Sequence, residues 1–395
     1  MRHPGDKGLP EISRRPAERT ATCPAGSAGF PADRAGGLPH TLLAVALVLL
    51  LPLAGAAALG KPLAAYLQFP PTTPDMPHAP FSLPAFFGLT LPILAATIPL
   101  LRRLISFRRG DGLRKPVMPF PWWGWTGAGL GAASWILAWS RIPWLGGFHA
   151  HAFTPLWVGF ILLVNAFTAR RTGRCLLLSR TRPFLLLFPV SAGFWWTFEY
   201  LNRFVGNWRY VGGVEFGQVE YFLFATLPFS TVLPAVLSTR ELLLSYRRFD
   251  RAFREWRPLS PANPRTICLA ALLVSCAGLF AVGIAPDFAF PLVWVAPPTL
   301  LISLAALRGE PHAFSGIVSG DWRPAVSSVL AALLCGVFWE TWNFGSYAKW
   351  VYVIPYVDAL RIFEMPLLGY AGYLPFGLTC AAIGDLLLDN GGRRR

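Results

Sequence analysis

Thr41 to Gly60 reads TLLAVALVLLLPLAGAAALG, twenty residues without a single charged side chain. A helix crossing a bilayer needs about 20 mostly apolar residues, because hydrocarbon offers the backbone no hydrogen-bond partner and the helix must satisfy itself. The basic leader ahead of this run is too long, and the apolar core too extended, for a secretory signal. The segment therefore predicts a first membrane span, near 41–60. Nine further segments of the same kind lie near 82–101, 122–142, 153–169, 183–202, 219–239, 266–284, 289–307, 324–343 and 366–387. The reading is an all-α, polytopic integral membrane protein with about ten transmembrane helices.

Composition supports this. Of 395 residues, 54% are hydrophobic and only 14% charged, with a mean hydropathy of +0.46. Soluble domains carry about 25% charged residues. A net charge of +15 would suit a polyanion, but the basic residues stand in short blocks between apolar runs and form no arm or single face, so nucleic-acid binding is set aside. Their placement is topological instead. With both termini cytoplasmic, 29 of the 35 Lys and Arg fall on the cytoplasmic side; Lys61, Arg141, Arg203, Arg209, Lys349 and Arg361 face outward. That is the positive-inside bias.

Residues 1–38, rich in Arg, Pro, Gly and Ala, read as a disordered cytoplasmic tail. In the cytoplasmic segment ELLLSYRRFDRAFREWR (Glu241 to Arg257), Tyr246, Phe249, Phe253 and Trp256 recur at helical spacing while Arg247, Arg248, Arg251 and Arg254 take other faces. This predicts a basic interfacial helix lying on anionic lipid. Cys23, Cys175, Cys268, Cys276, Cys335 and Cys380 are scattered without zinc spacing and read as small buried hydrophobes.

Self-comparison reveals a repeat. GFWWTFEYLNRFVGNWRYV (Gly193 to Val211) matches GVFWETWNFGSYAKWVYV (Gly336 to Val353), with Glu199 and Asn202 falling on Glu340 and Asn343 at an offset of 141. Trp208-Arg209-Tyr210 matches Trp350-Val351-Tyr352, and Glu220 followed by Leu227-Pro228-Phe229 resembles Glu364 followed by Leu374-Pro375-Phe376. Each copy is a span ending in Glu-x-x-Asn, an outer loop with Trp-x-Tyr, a second Glu, and a proline-broken span. The copies share one orientation, related by an axis along the membrane normal. The chain divides into the tail (1–38), two added helices (39–118) and two four-span units (119–264, which carries the basic helix, and 265–395).

Carboxyl groups within spans are costly and usually face a cavity. Glu199 and Glu340 are therefore candidate acid and base, Asn202 and Asn343 candidate orienters of the neighbouring carboxyls, and Glu220 and Glu364 second carboxylates. Trp195, Trp196, Trp208, Tyr210, Trp339, Trp342, Trp350 and Tyr352 crowd the same level, as an interfacial belt or as a substrate wall. An apolar aromatic pocket keeps a carboxylic acid protonated, as alkene protonation requires, and π faces stabilise a carbocation. His149 and His151 supply too few ligands for a metal, and no phosphate loop or acidic diphosphate motif occurs, so no metal or cofactor is assigned.

The stretch from FTPLWVGFILLVNAFTARRTGR (Phe153 to Arg174) through PFSTVLPAV (Pro228 to Val236) resembles a family of uncharacterised bacterial polytopic membrane proteins. More weakly, Glu199, Trp208-Arg209-Tyr210 and Glu220, with Glu340, Trp350-Val351-Tyr352 and Glu364, are similar to the lycopene cyclase domain and related small membrane-bound terpene cyclases. Those have Pro-x-Glu-Glu at the second acidic position, where this chain has single glutamates. The resemblance implies a bacterial inner membrane location, an isoprenoid or other lipid as hydrophobic substrate, and cyclase or isomerase chemistry without a cofactor. A transporter or channel also fits, given parallel repeats and prolines at Pro228, Pro234 and Pro375, as does a scaffold for a membrane complex.

Overall fold

The structure is a computed structural model that describes Met1 and residues 37–71, 76–107, 116–212 and 217–388. The tail expected over 1–38 lies almost wholly outside the described residues. Every predicted span coincides with helix: α1 (Gly37–Ala58), α2 (Leu83–Ser106), α3 (Trp122–Trp139), α4 (Phe153–Thr172), α5 (Thr181–Val205), the pair α6 (Gln218–Phe229) and α7 (Val232–Leu244), then, after a short helix α8 (Arg247–Phe253), α9 (Pro264–Ile284), α10 (Leu292–Leu307), α11 (Arg323–Gly345) and α12 (Tyr373–Leu388). Among the described residues, eight helical stretches are long and apolar enough to cross a membrane, counting α6 with α7 and Leu367–Gly372 with α12. Glycine-rich α3 is not among them, and α10 has only 16 residues.

The segment predicted as one span over 219–239 is broken. Pro234 lacks the N–H that would bond the carbonyl of Ser230, and the hydroxyls of Ser230 and Thr231 fold back onto the carbonyls of Leu227 and Pro228, both at 2.6 Å. Buried Ser191 bridges the break. Its hydroxyl donates to Phe229 O at 2.7 Å and accepts from Leu233 N at 3.0 Å, meeting backbone groups that the interrupted helix leaves over.

Below the break, α7 is buried along most of its length against α4, α5, α11 and α12, with Leu233 and Leu237 in the main core beside Phe198, Leu300 and Phe376. Helix α1 packs on α9 so closely that no side chain fits between: a Cβ on Gly283 would stand 2.1 Å from Pro52 O, and one on Gly55 2.0 Å from Phe280 O. Small residues that admit direct backbone contact are a common means of joining helices in lipid.

The basic helix departs from its expectation. Its apolar face meets protein: Phe249 and Phe253 are buried with Val326, and Leu100, Leu104, Phe107 and Trp322 close around them. The arginines tie it down, Arg103 donating to Ala252 O at 2.9 Å and Arg248 to Leu104 O at 2.8 Å. Periodicity announced a face needing cover, and the ends of α2 and α11 supply that cover in place of lipid.

Arg323, Asp250, Asp321 and Arg254 form an ion-pair network over this clasp. The bond from Arg254 holds the Asp250 carboxyl below its ordinary range, and the bond from Arg323 does the same for Asp321. A depressed carboxyl adds stability above its unfolded pKa, and loses it as pH falls through the folded value. On acidification below about pH 4, Asp250→Asn is therefore expected to lose less stability than the unaltered chain. The difference in unfolding midpoint should correspond to under about 1 kcal/mol, because the Asp250 side chain is 41% exposed and screened. Identical pH dependence in the two proteins would deny the network a role.

Candidate functional site

Two strands carry the Trp-x-Tyr elements: β1 (Trp208–Val211) and β2 (Lys349–Tyr352). They pair with each other, antiparallel, in the register Trp208 to Tyr352, Arg209 to Val351, Tyr210 to Trp350 and Val211 to Lys349. Tryptophan of one loop thus lies opposite tyrosine of the other. The ribbon joins the ends of α5 and α11, where the two Glu-x-x-Asn motifs sit.

The asparagines make the ribbon possible. Asn202 donates to Trp208 O at 2.7 Å and accepts from Trp208 N at 3.2 Å; Asn343 makes the same pair with Trp350, both at 2.8 Å. An amide offers one donor and one acceptor in a plane, which matches the N–H and C=O of a single residue. Sequence reasoning placed these amides on the neighbouring carboxyls. They clamp the loop backbone instead, and position the carboxyls' partners rather than the carboxyls. In the first copy Gly206 ends α5 at φ +58°, the left-handed geometry that lets the chain turn straight into β1.

Glu199 is 2% exposed and its Oε1 accepts three bonds, from Trp195 Nε1 at 3.0 Å, Trp208 Nε1 at 3.2 Å and Tyr210 OH at 2.6 Å. Glu340 is fully buried, and its Oε1 accepts from Tyr352 OH at 2.8 Å and Tyr373 OH at 2.9 Å. The copies differ in detail. Trp350 Nε1 bonds the Tyr352 hydroxyl at 2.7 Å where Trp208 bonds the carboxyl, and Glu340 Oε2 has no partner. On the strands, burial and the adjacent glutamate push the hydroxyls of Tyr210 and Tyr352 well above the ordinary phenol range, so both remain protonated.

Beside the ribbon lies a cavity of about 320 Å³. Of the eight predicted aromatic residues, Trp195, Trp208, Tyr210, Trp339, Trp350 and Tyr352 line it. Trp196 and Trp342 do not: Trp196 donates to Thr226 Oγ1 at 3.0 Å within a side cluster, and Trp342 packs on Trp157 at 4.9 Å between ring centres. Neither carboxyl forms part of the wall. Each accepts a hydrogen bond from tyrosines that do. Glu220 is exposed at the start of α6, and Glu364 is engaged by Lys349 at 2.5 Å. Neither second carboxylate joins the bonds to Glu199 or Glu340.

Tyr373 and Trp294 are wall residues that sequence reasoning missed. Only Tyr373 had a signal, one position before the Leu374-Pro375-Phe376 element. His149 lines the cavity with Nε2 3.2 Å from Ser140 Oγ, while His151 packs on Phe224. Among the described residues no group of three or more His, Cys, Asp or Glu could hold a metal ion. No family model matches the chain, and no curated protein or solved structure matches it significantly.

Proposed function

We propose that the chain is a membrane-embedded, cofactor-independent enzyme acting on an isoprenoid or other lipid by acid and base catalysis, a cyclase or isomerase like the terpene cyclases its Glu and Trp-x-Tyr elements resemble. One observation carries the reading: two buried glutamates, one from each copy of the repeat, stand behind tyrosines that line a single apolar cavity. A hydroxyl bonded to a carboxyl passes a proton either way. Glu340, as the acid, replaces the proton that Tyr352 or Tyr373 delivers to a substrate double bond. Glu199, through Tyr210, takes a proton from a neighbouring carbon as the double bond re-forms. The substrate gains and loses one proton, and the proton taken up by Glu199 is returned to Glu340 between turnovers, so no oxidant, reductant or water is consumed. Tryptophan faces around the cavity stabilise the intervening cation.

The ribbon also supports duplication. Its register places like residues symmetrically about the Arg209 and Val351 pair, as a two-fold axis along the membrane normal requires. On this reading α3 and α10 join the eight longer helices as full spans, making ten. The termini are cytoplasmic in a bacterial inner membrane, and the cavity opens toward the outer side.

Glu199→Gln and Glu340→Gln keep shape and remove the proton exchange. Expression of the unaltered chain is expected to shift the host's lipid or pigment profile by mass spectrometry, and each variant to lose at least 90% of that shift (about tenfold, or 1.4 kcal/mol). Folded variants that leave the profile as the unaltered chain does would sink the proposal.

A further inference from the structure

Whenever Glu199 and Glu340 are ionised, the charges around the cavity do not balance. Glu199 and Glu340 are buried, and their hydrogen-bond donors are all neutral indoles and hydroxyls. Neither has an arginine, lysine or histidine partner among the described residues. The one lysine on the wall, Lys349, is neutralised by Glu364 at 2.5 Å. His149 on the same wall faces a serine hydroxyl. Glu340 Oε2 is left without any partner. A buried carboxylate with no counter-charge is strongly unfavourable, and an incoming cation removes that cost.

The wall determines which cation. An alkali or divalent ion keeps its hydration unless several oxygens replace it, and this cavity offers mainly rings, among them Trp195, Trp208, Trp294, Trp339, Trp350 and Tyr373. Ring faces attract cations that shed water cheaply, and aromatic cages of this kind recognise quaternary ammonium groups. We propose that the cavity is a binding site for organic ammonium ions with apolar substituents, held by tryptophan and tyrosine faces with Glu199 and Glu340 as buried counter-charges. This rests on the cavity being a ligand site, as proposed above, and is independent of whether the glutamates exchange protons with substrate.

Benzyltrimethylammonium and neopentylbenzene have the same shape and differ by one charge. Both are titrated calorimetrically into the full chain in lipid nanodiscs, with heats into empty nanodiscs subtracted. Saturable binding of the ammonium at least tenfold tighter than the hydrocarbon is expected, with no competition from benzenesulfonate. The Glu199→Gln, Glu340→Gln double variant should lose that preference and bind both alike. Equal affinity for the two isosteres on the unaltered chain, or no saturable ammonium binding, overturns the proposal even if the variant fails to fold. A changed lipid profile without ammonium preference would leave the acid and base reading standing alone; ammonium preference with an unchanged profile would do the reverse.

Discussion

Asn343→Ala is expected to lower the stability of the chain by about 2–6 kcal/mol, since two backbone groups lose their partners and each unpaired buried polar group costs about 1–3 kcal/mol. Asn343 is fully buried, and both functions of its amide are spent on Trp350, at 2.8 Å each. Alanine leaves the N–H and C=O of Trp350 facing a space too apolar to replace them. Strand β2 then loses its anchor to α11, and Tyr352 with it. Thermal unfolding in detergent measures the loss. Near-ultraviolet circular dichroism should report the same event separately, because tryptophans around the ribbon lose their fixed surroundings. Asn343→Asp restores only the acceptor to Trp350 N and should not recover the unaltered midpoint. An alanine variant with unchanged midpoint and unchanged aromatic signal would mean that the clamp holds nothing.

Gly283→Val is expected to cost at least about 3 kcal/mol, at the upper end of overpacking. The added Cβ would lie 2.1 Å from Pro52 O and 2.5 Å from Ala56 N, so the obstacle is backbone that cannot rotate away. Helix α1 must move off α9, and with it Lys61, whose ammonium donates to the Gly283 carbonyl at 2.8 Å. The comparison is Gly129→Ala in α3, where a Cβ meets nothing within 4 Å. There alanine should be neutral or add up to about 1 kcal/mol through helix propensity. If both variants unfold at the same temperature, the close crossing of α1 and α9 is wrong.

Much of this architecture is legible in the residues. Spans announce themselves because lipid imposes one requirement on every residue, so Thr41 to Gly60 reads unambiguously. The Glu-x-x-Asn pairs led to the carboxyls and clamps because an identical polar pattern recurring in apolar sequence is costly to keep. Partners were harder to read. Trp208-Arg209-Tyr210 is too short to show strand alternation, and nothing local says that it pairs with a segment over 130 residues away. The asparagines were placed on the wrong partners because i, i+3 spacing describes a helix face, whereas the chain turns at Gly206 and returns over it. Trp294 reaches the cavity only through the packing of α10, and carries no sequence signal of its own. Phe249 and Phe253 show the general limit: spacing says that a face must be covered, and tertiary structure decides by what.

The ribbon ties the fates of the two carboxyls together. Tyr210, bonded to Glu199, lies opposite Trp350, whose indole holds the tyrosine bonded to Glu340. A shift of either strand is carried to both acids. Any coupling that the ribbon transmits between them is reciprocal, the same free energy in each direction, as linkage demands.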